Sequence, residues 1–269
     1  MDEVNAFPLN MPHLSYGKIN PMNQETIDFL LNLNREFYNT YAQSFSSTRY
    51  SIQPGVASLL PQLLQAENLL DLGCGNGNLA KALLQAGYSG KYLGVDNSLS
   101  LLEGAKIAIP ETAHNRFAFK KVDLSAQLQS PLVQPNTIVC FAVIHHFPRE
   151  PYLRRFFDFA IHTLPPSGKF FLSCWQVKNN PRLGARIQPW SMVSLDPYDL
   201  TENDLLLDWR ADQSQPQRYR YVHHFDAETL RNTGAEVGFI LENEFYSDGR
   251  EGNLALYQVW RKQDVGRTG

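Results

Sequence analysis

No apolar run in this sequence approaches the roughly 20 residues a membrane-spanning helix needs, so no membrane span is expected. Cysteine is scarce: Cys74, Cys140 and Cys174 are far apart and sit inside apolar segments. That spacing fits neither a disulfide framework nor a metal site, and it points to a reducing compartment with the cytoplasm as the expected location. The first residues lack a basic start and an apolar centre, so no secretory leader is expected. Positive charge is not in surplus either. The net charge of −3 argues against an autonomous nucleic-acid-binding domain, because phosphate contact needs an excess of lysine and arginine. Two local clusters, Arg149/Arg154/Arg155 and Lys178/Arg182/Arg186, could still supply phosphate contacts. Internal repeats and low-complexity tracts are absent.

What remains is an ordinary globular composition over 269 residues, 43% hydrophobic and 19% charged, enough for one large domain. Residues 1–22 read as a flexible lead-in. Residues 23–269 read as a single domain with N-terminal helices over 23–66 and a substrate-side insertion over 178–224. Ile27, Leu30, Leu31, Leu33 and Phe37 recur at helical spacing behind Asn23, a plausible N-cap, and a second helix is expected from Pro54 to Gln65. Strand and helix patterns then alternate: NLLDLG, KYLGVD, FAFKKVD, TIVCFAVIHHF and GKFFLSCWQV are strands, with amphipathic helices between most of them. The expected fold is α/β, a doubly wound Rossmann-like seven-stranded sheet, mostly parallel with an antiparallel edge hairpin. The insertion reads as irregular, and a long irregular segment in such a domain is more often functional than not.

The strongest motif is LLDLGCGNGNLA, Leu69 to Ala80, where a buried strand turns through Gly73, Cys74, Gly75, Asn76 and Gly77 into a helix. Glycines there permit unusual dihedrals and let a ligand approach the backbone N–H groups at a helix start. A Walker phosphate loop would need Lys-Ser or Lys-Thr where Asn78-Leu79 stands. A dinucleotide fingerprint would need Gly-x-Gly-x-x-Gly, and this is Gly-x-Gly-x-Gly. Three acids end successive strands: Asp71, Asp96 followed by Asn97, and Asp123 followed by Leu124. A carboxylate at Asp96, 19 residues past Gly77, can accept both hydroxyls of a ribose.

This glycine loop resembles the first motif of class I S-adenosylmethionine-dependent methyltransferases. The resemblance implies S-adenosyl-L-methionine as cofactor, with Asp71 on its methionine amino group, Asp96 on the ribose and Asp123 on the adenine amino group. It places the Ala142–Val143 backbone under the methionine. The flanking pieces YAQSFSSTRY, FAVIHHF, DLLLDW and RYRYVHHF together resemble the tRNA methyltransferases that esterify 5-carboxymethyluridine at the wobble position. That resemblance covers about residues 35–262 and departs at Gln53 and Asp208, where the family pattern has Trp and Pro.

A carboxylate acceptor is ionised at neutral pH, its reference pKa being about 4, so it needs orientation rather than a base. The planar fork of arginine supplies that, and Arg49 is the first candidate, with Arg218 or Arg220 as a second. His145 and His146 would be the bases for a hydroxyl or ring-nitrogen acceptor. Trp209 is a candidate stacking platform for a base. The resemblance implies tRNA as substrate and, for the related catalytic subunits, a small zinc-binding activator. A small-molecule acceptor bearing a carboxylate or hydroxyl is the alternative. A cofactor-binding scaffold without activity is a third reading, which the intact acids and glycines argue against.

Overall fold

A computed structural model of the chain describes residues 22–40, 51–126, 128, 134–209 and 218–264. Helix α1 (Gln24–Thr40) starts where the Asn23 side chain accepts the Thr26 N–H at 2.7 Å, the expected N-cap. It buries Thr26, Leu30, Asn34 and Phe37 along one stripe, so an amide occupies a position that periodicity assigns to the core. Helix α2 (Pro54–Leu63) opens with proline in its first turn and ends two residues short of the expected Gln65.

The main sheet contains β1 (Asn68–Leu72), β2 (Lys91–Asp96), β3 (Phe117–Lys121), β4 (Thr137–Phe141) and β5 (Lys169–Trp175), all parallel. Two more strands, β9 (Phe239–Ser247) and β10 (Ala255–Lys262), pair antiparallel, and β10 pairs antiparallel with β5. The order β3-β2-β1-β4-β5-β10-β9 is the expected seven-stranded sheet with its edge hairpin. Helices α3 (Asn78–Gln85), α4 (Leu99–Ala108), α5 (Arg149–Thr163) and α7 (Ala227–Glu236) complete the α/β alternation, with a short α6 (Pro181–Gly184) after β5.

Strand alternation divides the core in two. Leu69, Val139, Phe171, Tyr257 and Val259 pack on one face with Leu59, Leu63 and Leu83 of α2 and α3. Leu70, Leu72, Ile138, Phe170 and Trp260 pack on the other with Phe156, Phe157 and Ala160 of α5 and Leu230 of α7. With both faces covered, β1 and β4 are apolar runs rather than alternating ones.

Two expectations need correction. The apolar stretch from Thr137 to Phe147 is not one strand: β4 ends at Phe141, Ala142 adopts φ 56°, and Ile144–His146 form a 3-10 turn. The left-handed residue breaks the ladder, so the two histidines lie on a turn beyond the strand. The insertion is not irregular either. It carries a second, antiparallel sheet of β6 (Ile187–Gln188), β7 (Asp204–Trp209) and β8 (Arg218–His223), in the order β6-β7-β8. Leu205, Leu207 and Val222 of this small sheet join the first core cluster.

Candidate active site

Strands β1 and β4 are neighbours, and the chain runs outward from them in opposite directions, which is where open α/β sheets form a ligand crevice. A cavity of about 670 Å³ occupies that position. One wall is the loop after β1. Gly73 has φ +77°, and a Cβ there would lie 2.4 Å from the Val143 side chain, so only glycine lets this loop pack on the turn after β4. A Cβ on Gly75 (φ +55°) would meet no atom within 4 Å; the space beside it is a cradle.

The three acids converge on this cavity. Asp71 is buried within β1 rather than ending it, and accepts the Tyr92 hydroxyl at 2.5 Å from the neighbouring strand. Burial pushes its carboxyl up to about 7, with the Tyr92 bond opposing the shift and the Asp96 charge adding to it. Asp96 ends β2 and accepts the Gly75 N–H at 3.0 Å and the Ser98 N–H at 2.9 Å, joining the glycine loop to the start of α4. Burial raises its pKa too, and those backbone bonds partly offset the rise. Asp123 lies two residues past β3, held by the Ser125 N–H at 2.9 Å and by an ion pair with Arg35 of α1 at 3.2 Å. Cys74, Asn76, Asn97, Leu124, Ala142 and Val143 also line the cavity, while Gly77 is the left-handed cap of α3. The fit to an adenosyl-methionine ligand is good: a buried acid for an ammonium, a half-buried one for a ribose, and an open glycine turn between them.

The opposite wall comes from α1 and the small sheet, and it sorts the remaining candidates. Arg220 lines the cavity at 1% exposure. Its guanidinium carbon lies 4.5 Å from the ring centroid of Trp175, 5.2 Å from Phe37 and 5.3 Å from Trp209. Trp209 therefore serves as a wall for this cation and meets Phe37 edge-on. His146 lines the cavity, whereas His145 is fully buried behind it, stacked on Trp175 and accepting that residue's N–H at 3.3 Å. Arg218 is exposed at the start of β8 and is not among the lining residues. Arg49 lies outside the described residues. Of the two basic clusters, Arg182 and Arg186 line the cavity. Arg149 is bound to Asp204 at 3.0 Å, Arg154 to Asp158 and Glu236, and Lys178 to Glu202 at 3.5 Å.

Sequence reasoning missed Tyr38. Its hydroxyl lies 2.6 Å from His146 Nε2, and it lines the cavity. The available signal was Asn34 in the apolar stripe of α1: its amide donates to the carbonyls of His146 (2.9 Å) and Tyr221 (3.1 Å) and accepts the Tyr221 N–H (2.8 Å). Those bonds dock α1 against the site and place Tyr38 one turn further on.

A methyltransferase-domain family model matches residues 43–244. A tRNA (carboxymethyluridine(34)-5-O)-methyltransferase of Arabidopsis thaliana is 26% identical over 140 residues, 51% of this chain and 31% of the relative. One of Xenopus tropicalis is 28% identical over 153 residues, 54% and 22% of the two chains. A trans-aconitate 2-methyltransferase of Enterobacter sp. (strain 638) is 50% identical over a short stretch of 44 residues, 16% of this chain and 18% of that one. The matched regions thus span about a third or less of these relatives. Among solved structures, a SAM-dependent methyltransferase from Methanosarcina mazei shares the fold at TM-score 0.59 and 18% identity, covering 79% of this chain and 99% of that one. So does a magnesium protoporphyrin IX methyltransferase from Synechocystis with bound SAH, at TM-score 0.59 and 18% identity over 85% and 98% of the chains. The match over residues 43–244 shows that this chain belongs to the methyltransferase-domain family, and the acids gathered round the glycine loop fit S-adenosylmethionine as its methyl donor.

Proposed function

We propose that the acceptor is a carboxylate, and that it is the carboxymethyl group of a modified wobble uridine in tRNA. The observation that carries the acceptor class is Arg220. Burying a cation costs several kcal/mol unless it is paired; among the described residues Arg220 forms no salt bridge, and the Asp208 charge offsets part of that cost. The aromatic box returns only about 2 kcal/mol through cation–π contact. Two of its buried nitrogens, Nε and Nη1, meet no hydrogen-bond partner among the described residues. An anion arriving in the cavity satisfies what the protein leaves unmet, and a planar carboxylate matches the arginine fork.

S-adenosylmethionine supplies an electrophilic methyl group on a sulfonium. The residues assigned to hold it are Asp71 for the ammonium, Asp96 for the ribose hydroxyls and Asp123, with Leu124, for the adenine edge. Gly73 to Gly77, Asn97, Ala142 and Val143 shape the walls between them. The acceptor needs no base, since its carboxylate is ionised at neutral pH. His146 agrees with that: its Nε2 is engaged by the Tyr38 hydroxyl and its Nδ1 by the Tyr221 carbonyl at 3.1 Å. The protein's work is then to hold one carboxylate oxygen in line with the methyl group and to exclude water. Arg49, the first candidate from the sequence, is assigned to the acceptor carboxylate as well.

The wobble uridine rests on the two tRNA methyltransferase relatives and on Arg182 at the cavity, which can take phosphate. The trans-aconitate 2-methyltransferase relative favours a second reading, in which the same carboxylate site serves a small polyacid. Incubation with labelled S-adenosylmethionine and bulk tRNA from cells lacking the gene, followed by nucleoside profiling, separates them. Label in a wobble nucleoside supports the tRNA reading; label confined to a metabolite extract contradicts it.

A further inference from the structure

Asp71 is buried, and among the described residues no lysine, arginine or histidine pairs with its carboxylate. What it meets is a phenol. In the parallel register of β1 and β2, Leu69 stands opposite Tyr92 and Asp71 opposite Gly94. The side chains of Tyr92 and Asp71 are thus diagonal neighbours on one face of the sheet. Gly94 puts no side chain between them, and its place tolerates none: a Cβ there would lie 2.8 Å from Cys74 Sγ and 3.0 Å from Phe119. Tyr92 has little freedom of its own. It is buried, its ring stacks on Phe117 at 5.5 Å and it lies against Phe119 at 5.8 Å. From that clamp its hydroxyl donates to Asp71 Oδ2 at 2.5 Å.

This bond gives the two carboxylate oxygens different tasks. The phenol keeps its proton, because burial pushes its pKa well above the ordinary value and the Asp71 charge adds to that. Oδ2 therefore stays an acceptor for Tyr92, and Oδ1 is the oxygen left for a ligand in the cavity that Asp71 lines. When Asp71 is neutral its own proton belongs on Oδ1, so a proton and a ligand ammonium compete for one atom. The other titratable groups facing Asp71 are Asp96 at the end of β2 and the thiols of Cys74 and Cys140, which burial keeps protonated. We infer that Tyr92 is the positioning residue for the methionine end of the cofactor, tying back Oδ2 of Asp71 so that Oδ1 meets the ammonium. The same bond opposes the upward pull of burial on the Asp71 carboxyl, and so favours the ionised form that an ammonium needs. This deepens the assignment of Asp71 to the ammonium and rests on it.

The full chain is titrated calorimetrically with S-adenosylhomocysteine and with methylthioadenosine, which keeps the nucleoside and lacks the amino acid, between about pH 5.5 and 8.5. Tyr92→Phe, Asp71→Asn and the double variant are measured alongside. The wild type should prefer S-adenosylhomocysteine, and the preference should grow as pH rises. In Tyr92→Phe that ligand should bind about tenfold more weakly near pH 7, the scale of one hydrogen bond to a charged group, and the midpoint of its pH profile should move upward. Methylthioadenosine should bind wild type and Tyr92→Phe alike, which also reports an intact site. The double variant should bind no worse than Asp71→Asn alone, because Tyr92 acts through Asp71. Three results overturn the positioning role while leaving Asp71 on the ammonium: an unchanged affinity and pH midpoint in Tyr92→Phe, equal weakening of both ligands, or additive losses in the double variant. If Asp71→Asn keeps the full preference for S-adenosylhomocysteine, the ammonium assignment is overturned and the role of Tyr92 falls with it.

Discussion

Asp71 sits where a carboxylate is least at ease, 4% exposed inside a parallel strand, with burial raising its pKa to about 7. Two pH effects follow. The folded state holds this proton more tightly than the unfolded chain, whose aspartate titrates near 3.9, so folding stability without ligand falls as pH rises from about 4 to 7. With the cofactor ammonium assigned to Asp71, binding draws on the deprotonated form. Cofactor affinity should therefore weaken by up to about tenfold per unit as pH drops below 7. Calorimetric titration between about pH 5.5 and 7 checks this, and Asp71→Asn should bind weakly with little pH dependence. The three acids were legible because each lies at or near the end of an apolar run, and strand ends face ligands in this architecture. Tyr38 and the burial of Arg220 were not. An arginine in the alternating run RYRYVH reads as outward-facing, and only the contacts of Phe37, Trp175 and Trp209 show that its face of β8 points inward.

The small sheet depends on one acid. Asp204, the first residue of β7, accepts from Arg149 (3.0 Å), His223 (2.8 Å), the Tyr221 hydroxyl (2.7 Å), and the Thr201 N–H (2.8 Å) and hydroxyl (2.9 Å). Arg149, at the start of α5, adopts φ 58° and also donates to the Asp199 carbonyl, so the hub ties β7 and β8 to the main domain. Burial raises the carboxyl pKa, and its donors, led by His223, outweigh that and hold it well below the usual carboxylate range. For a depressed aspartate the stabilisation is complete above the unfolded value near 3.9 and is lost as pH falls through the folded one. Asp204→Asn should cost about 3 kcal/mol at neutral pH, and should narrow its deficit against wild type below about pH 4. Thermal melts across that range decide; an unchanged Tm at neutral pH contradicts the hub. The sheet was illegible because Pro, Asp and Arg dominate its loops. DLLLDW is nonetheless a buried apolar run, and its strand character was there to see.

For the molecule as a whole, the doubly wound order and the edge hairpin followed from strand and helix alternation, since right-handed crossovers leave few arrangements. Net charge was a poorer guide. Ion pairing absorbs Arg149 and Arg154, and such tertiary pairing leaves no trace in a charge count. The central claim is that a buried arginine selects a carboxylate for methylation. A methyl ester is cleaved by mild alkali, whereas a methyl on carbon, ring nitrogen or ribose is not. The decisive measurement is the alkali lability of the label transferred to tRNA, after digestion to nucleosides. The account predicts release of the label as methanol from a wobble nucleoside; an alkali-stable label would contradict it.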